Sequence, residues 1–208
     1  MTATLITPPV AALLRDAETW RLISILLEHP DAGWRASVRA AADECRDDVL
    51  SRIGAAALDA REGTYLQAFG PGGIVSPREI AHRPTADPGR ILMELTASYA
   101  AFAYRPSAAE PPDHVAVEAG FVAYLRLKEA FALAAGDDDA ARVTGDTARD
   151  FIERHLSSFA EPIADRLAVD PEGYLSQAAQ ALLARTGPRS ETTEGGWTPE
   201  WCAGCDSR

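Results

Sequence analysis

The stretch Glu110-Pro111-Pro112-Asp113-His114-Val115-Ala116-Val117-Glu118 brings together the residue types in this chain best suited to chemistry. Carboxylates beside an imidazole, at the head of an apolar periodic run, make an acidic and titratable site. Asp113 and Glu118 can grip an arginine pair through charge-assisted, bidentate bonds, roughly twice as strong as neutral ones. The same residues have an ordinary structural use. Asp113 is a good N-cap, with His114 the first helical residue and Glu118 one turn on. A third reading adds His155 to Asp113, His114 and Glu118 as the site of a helical metal-dependent hydrolase. Against it, Glu153 and His155 are two positions apart and face different ways, and the Glu-x-x-His pairs of a carboxylate-bridged di-iron bundle are missing. His155, flanked by Phe151, Ile152 and Leu156, reads as a hydrogen-bonded core histidine.

The chain ends Trp197-Thr-Pro-Glu-Trp201-Cys202-Ala-Gly-Cys205-Asp-Ser-Arg. Cys202 and Cys205 are half a zinc site, and they lack the strand-to-helix setting that lowers a thiolate pKa. Two tryptophans beside them suit a docking segment. Elsewhere there is no GxGxxG before a helix, no GxxxxGK[ST], no HExxH and no GxSxG. Gly70-Pro71-Gly72-Gly73 lacks the lysine and preceding strand of a phosphate loop and reads as a turn. No catalytic residue and no cofactor follow from these patterns, and the expectation is a binding protein rather than an enzyme.

The elements that must position these residues are helical almost throughout. The first helix follows Pro8-Pro9 and runs to about Glu28, buried in its second half around Leu22 to Leu27; Pro30 stops it. A second helix carries Trp34, Val38, Ala41, Cys45 and Val49 on one face. A third carries Ile53, Ala56, Ala57 and Ala60 and continues past Gly63 into Tyr65 to Phe69. Residues 70 to 89, with four glycines and four prolines, predict a long ordered loop or hinge. Asp87-Pro88 is an N-cap and N1 pair opening a helix with Ile91, Leu92, Leu95, Tyr99 and Phe102 inward. After a second break at 105–112, a helix from Asp113 to Ala135 places Val117, Phe121, Tyr124, Leu125, Lys128 and Phe131 on one face. Gly136 closes it and Asp137 to Asp139 open the next, which holds Val143, Phe151, Ile152, His155, Leu156 and Phe159. Pro162 to Val169 is a short connection. Asp170-Pro171 caps a last helix that Gly187-Pro188 ends. The expected architecture is all-α: one globular domain over 1–187 with a hinge at 103–112, then a flexible tail over 188–208.

At 208 residues, 47% hydrophobic, the chain can bury a core without a staple. A net charge of −11 argues against nucleic acid and anionic membranes and suits a basic partner. No signal peptide and no spanning segment are apparent, and three cysteines form no disulfide framework, so the cytoplasm is the expected compartment.

The order Tyr65-Leu66-Gln67-Ala68-Phe69-Gly70-Pro71-Gly72, Ser76-Pro77-Arg78-Glu79, Glu110-Pro111-Pro112-Asp113-His114 through Glu118 and Phe121, then Phe151-x-x-x-His155-Leu156 resembles the TorD/DmsD/NarJ family of redox-enzyme maturation chaperones. The resemblance spans about residues 15 to 185, and the Glu-Pro-Pro-Asp-His stretch is its most specific part. It implies a TorD-like helical fold, monomeric or domain-swapped. It implies binding of the catalytic-subunit precursor of a molybdenum-cofactor oxidoreductase, often at a twin-arginine leader, before cofactor insertion and export. Asp113, His114 and Glu118 would be binding residues, with Tyr65, Leu66, Phe69, Pro77 and Glu79 lining the neighbouring groove. Two departures bear on the client: Arg78 and Ile80 flank Glu79 where the family has an aromatic and a serine, and Phe159 stands at a shifted place for the family's tryptophan. The competing class, besides the hydrolase, is an accessory subunit that stays in a redox complex with its Cys-x-x-Cys tail on a partner.

Overall fold

The computed structural model describes residues 7–106 and 109–188. Nine α-helices appear among them: α1 Pro8–Leu26, α2 Trp34–Glu44, α3 Asp48–Ala57, α4 Glu62–Phe69, α5 Pro88–Ala101, α6 Val115–Ala134, α7 Asp138–Arg154, α8 Ala160–Leu167 and α9 Tyr174–Thr186. Two short 3-10 turns, Glu79–His82 and Leu156–Ser158, complete them. The described residues contain no strand, and the sole β pairing is an isolated antiparallel bridge between Arg78 and His114. None of their helices is long and apolar enough to cross a membrane. The all-α expectation holds.

The centre of the fold is the pairing of α1 with α6, which α7 extends on the far side of α6 and α2, α3 and α9 extend around α1. Leu22, Ile23, Leu26 and Leu27 have no exposed surface, and with Ser24 and Ile25 also buried the end of α1 from Leu22 on is surrounded on every side. Each such side chain contributes roughly 1.5–3 kcal/mol on burial. Trp34 is buried with them, and its indole N–H donates to the Ile25 carbonyl at the end of α1. Gly120 lets the two central helices approach: a Cβ there would lie 2.6 Å from the Tyr104 hydroxyl and 3.0 Å from Ser24 Oγ. Ser24 in turn donates to the Ala116 carbonyl at 2.8 Å, so a polar contact also holds α1 to α6.

The punctuation read from sequence mostly holds. Asp87 caps α5 through the Gly89 N–H with Pro88 at N1, Asp137 caps α7 through the Ala140 N–H, and Gly187 ends α9 at a φ of 74°. Several boundaries and orientations differ. The third helix is two, because the chain turns at 58–61; Arg35 donates to the Leu58 and Ala60 carbonyls that this turn frees. Val49 belongs to α3 rather than α2 and points outward, 57% exposed. Phe131 also faces out, at 66%. The helix carrying His155 stops at Arg154, and Ala160–Leu167 is a helix of its own rather than a connection. Pro162 fits there because it stands in the first turn, where no N–H is needed. The last helix starts at Tyr174 with Gly173 as its cap; Asp170 lies one turn earlier and receives the Gly173 N–H. The tail with Trp197, Trp201, Cys202 and Cys205 lies outside the described residues.

Candidate functional site

The long loop after α4 is ordered by its own backbone. The N–H groups of Ile74 and Val75 donate back to the Gln67 and Ala68 carbonyls, so the chain folds against the helix it has just left. Gly73 permits this: a Cβ there would sit 2.7 Å from the Ala68 carbonyl oxygen. Further on, the loop pairs with the segment leading into α6. The Val115 N–H donates to the Pro77 carbonyl at 2.8 Å and the Glu79 N–H to the Asp113 carbonyl at 2.9 Å. That bridge brings Ser76-Pro77-Arg78-Glu79 and Glu110-Pro111-Pro112-Asp113-His114 together, although the two stretches are far apart in the chain.

Between the end of α4, this loop and the 110–114 segment lies an open groove of about 460 Å³. Tyr65, Phe69, Val75 and Pro77 supply apolar lining, and His29, Arg78, Glu110 and His114 supply polar lining. Tyr65 packs edge-on against both His29 and Phe69, with ring centroids 5.0 and 5.3 Å apart. His114, rather than Asp113, is the N-cap of α6: its Nδ1 accepts the Ala116 N–H at 3.2 Å. An accepting Nδ1 carries no proton, so Nε2–H is the donor toward the Tyr65 hydroxyl, 3.1 Å away. Burial, only partly offset by the Asp113 charge, lowers the His114 pKa to about 4 and keeps the ring neutral at pH 7.

Behind the groove wall lies a layer of buried charge. The Asp113 side chain is completely buried and held by Arg78: Nε lies 3.0 and 3.1 Å from its two oxygens and Nη2 lies 2.8 Å from Oδ1. Glu79, equally buried, lies 2.6 Å from Arg83 Nη1 and 3.1 Å from His155 Nδ1. Glu118 completes the layer, fully buried. Neither Glu118 oxygen has a partner at ordinary hydrogen-bond geometry, so Glu79 acts on it chiefly through its charge. Burial, then the charges of Glu79 and Asp113, push the Glu118 carboxyl well above the usual carboxylate range. Tyr99 closes the layer from α5, donating to the Pro112 carbonyl at 2.7 Å.

At the groove mouth, Glu110 accepts the His29 N–H through Oε1, and its Oε2 lies 3.8 Å from His114 Nε2. Burial and the neighbouring carboxylates Glu110 and Asp31 raise Glu28 to about 7.

Of the residues selected from sequence, Tyr65, Phe69, Pro77 and His114 line the groove, while Leu66 is on α4 outside the lining and partly exposed. Asp113, Glu118 and Glu79 stand behind it without exposed surface. His155 is the hydrogen-bonded core histidine expected. Arg78, Arg83, Glu110, Glu28 and His29 were not selected as functional. Two of them carry a signal in the sequence: Glu110 opens the Glu-Pro-Pro-Asp-His stretch, and Arg78 departs from the family pattern. Among the described residues no three His, Cys, Asp or Glu side chains are grouped to hold a metal ion, so the residues named for the hydrolase do not form a ligand set.

A family model described as "Nitrate reductase delta subunit" matches residues 29–165, which include the groove and the buried layer apart from Glu28. Among curated relatives, the selenate reductase assembly chaperone protein of Thauera selenatis is 34% identical over 140 residues, covering 62% of this chain and 72% of its own length. The chlorate reductase assembly chaperone protein of Ideonella dechloratans is 31% identical over 169 residues, 78% of this chain and 77% of its own. With the match extending over most of the helical fold, the chain belongs to the TorD/DmsD/NarJ family of molybdoenzyme maturation chaperones.

Proposed function

We propose that the protein is a cytoplasmic, non-catalytic chaperone for the catalytic-subunit precursor of a molybdenum-cofactor oxidoreductase. It holds the N-terminal leader, with its arginine pair, in the groove between α4 and the head of α6 until the cofactor is inserted and the client can be exported. The observation that carries the reading is the composition of that groove. Tyr65, Phe69 and Pro77 offer apolar wall for the leader's hydrophobic stretch, and Glu110 offers a carboxylate at the edge for its cations. The groove is open, as an extended segment requires. The relatives' names, which are those of assembly chaperones for selenate and chlorate reductases, point to the same client class.

The test is calorimetric titration of the purified protein with a twin-arginine leader peptide, and with the same peptide carrying Ala-Ala in place of Arg-Arg. The Arg-Arg peptide should bind at least tenfold more tightly, and Phe69→Ala should weaken it; because the Phe69 ring is buried, the variant melts lower and is titrated well below its own melting temperature. Equal affinity for the two peptides would sink the arginine-reading role. Unchanged affinity in Phe69→Ala would remove the groove from the binding surface.

A further inference from the structure

We propose that Arg78 is an internal ligand of the Asp113 site, occupying at rest the place that an incoming arginine takes, so that the site opens only to a cation able to replace it. The inference rests on the groove being where the leader docks, and it concerns how that site is regulated.

Three observations carry it. The first is the geometry of the pair: Arg78 presents Nε and Nη2 to the two Asp113 oxygens at 2.8–3.1 Å, the fork that any guanidinium would offer a carboxylate. Among the described residues Asp113 has no other ion-pair partner.

The second is the asymmetry of burial. Asp113 has no exposed surface, whereas the Arg78 side chain is 37% exposed and belongs to the groove lining. A ligand in the groove therefore meets Arg78 and reaches Asp113 only in its place.

The third is where Arg78 is attached. It sits on the loop, and the backbone bonds that hold the loop beside α6 come from its neighbours, Pro77 accepting and Glu79 donating. The Arg78 side chain can leave by rotation about its own bonds while both backbone bonds stay.

Exchange is the energetically accessible way to open such a site. A buried carboxylate stripped of its partner is strongly destabilising, so an empty Asp113 site would be a poor resting state. Replacing one guanidinium by another leaves Asp113 paired at the start and the end. Lysine, a compact point charge without the planar fork, reproduces only part of that contact. An internal arginine thus sets a threshold that arginine passes and lysine does not.

The experiment titrates wild type, Arg78→Ala and Arg78→Lys with Arg-Arg and Lys-Lys leader peptides at fixed salt and neutral pH, with thermal melts of each chain alongside. Arg78→Ala should bind the Arg-Arg peptide about tenfold more tightly than wild type, because nothing has to be displaced. Its preference for Arg-Arg over Lys-Lys should shrink. Arg78→Lys should fall between. Because Arg78→Ala bares a buried carboxylate and can fail to fold, the wild type is also followed directly. With 15N-arginine labelling, the Arg78 Nε–Hε resonance, identified by its loss in Arg78→Lys, should move to a solvent-exchanging position at peptide saturation. A resonance that stays put, or an Arg78→Ala affinity equal to or weaker than wild type, overturns the proposal and makes Arg78 a fixed clamp. If no variant, wild type included, binds either peptide, the groove reading itself has failed.

Discussion

His155 Nδ1 lies 3.1 Å from Glu79 Oε2, joining the 3-10 turn of the long loop to the residue that ends α7, 76 positions later. Arg83 approaches the same carboxylate from just after the turn at 2.6 Å. The loop is thus anchored from inside by a buried carboxylate, while its outer side lines the groove.

Glu79→Gln keeps the shape and removes the charge from this anchor. Hydrogen bonds to a charged group contribute about 1.5–3 kcal/mol each, and Gln retains a weaker acceptor, so a net loss of about 1–3 kcal/mol is expected. Urea denaturation of the variant against wild type measures it. A change below about 0.3 kcal/mol, well under the value of one such bond, would mean that this carboxylate does not anchor the loop.

Asp113→Asn separates two roles at one residue. As a helix cap, Asp would be replaced by Asn with a change of only a few tenths of a kcal/mol. The structure assigns the cap to His114 and the ion pair with Arg78 to Asp113. Asparagine cannot hold that guanidinium as a charged fork, so a loss of about 1–3 kcal/mol is expected instead. Matched thermal melts decide between the two values.

Glu118→Gln should make stability less sensitive to alkali. The Glu118 pKa is raised in the folded chain, so folding favours its protonated form. That contribution is complete below the unfolded value of 4.5 and is lost as pH rises through the higher folded value. Gln has no proton to lose. The difference in melting temperature between Glu118→Gln and wild type should therefore shift in favour of the variant as the pH is taken from about 5 to about 8.5. Glu28, raised to about 7 for a similar reason, acts equally in both chains and cancels.

His114 has the opposite sign. Its folded pKa, about 4, lies below the ordinary 6.5, so as pH falls through 6.5 the unfolded chain takes up a proton that the folded chain refuses. Stability is lost as the pH drops from about 6.5 to about 4, by up to about 3 kcal/mol, since each pH step of one across that window costs roughly 1.4 kcal/mol. His114→Asn keeps an N-cap acceptor and removes the titration. Wild type should lose ground to this variant across that window, as read by urea unfolding at closely spaced pH values. Parallel curves would mean that the ring stays accessible to protons in the fold.

How far the sequence carried can be judged on particular residues. Asp87, Asp137 and Gly187 act within one turn of themselves, so local spacing was enough to read them. His155 was legible as a core residue because its neighbours Phe151 and Leu156 are apolar and buried. Glu79 and Asp113 are legible as site residues, as groove lining and as a binding or capping carboxylate, but not as buried ones. Their burial depends on Arg83 and Arg78, and no periodicity tells which arginine of the chain meets which carboxylate. The break at 58–61 is not legible in local spacing because its carbonyls are satisfied by Arg35, 23 and 25 positions away. The groove mouth was missed for a related reason: Glu28 and Asp31 sit at a helix end that Pro30 already explained.

The bridge between Arg78 and His114 has a consequence for how the protein comes into being. The groove draws on residue 29, on 65–78 and on 110–114, and the last of these leads into α6, which runs to Ala134. At about 5–20 residues per second on the ribosome, the first of these pieces waits several seconds for the last. Until then α1 has no α6 to cover Leu22 and Leu26, and Tyr65 and Phe69 have no opposite wall. The chain therefore passes through an interval in which its own apolar helix is bare. The groove is complete only once residues 110–114 have followed 65–78.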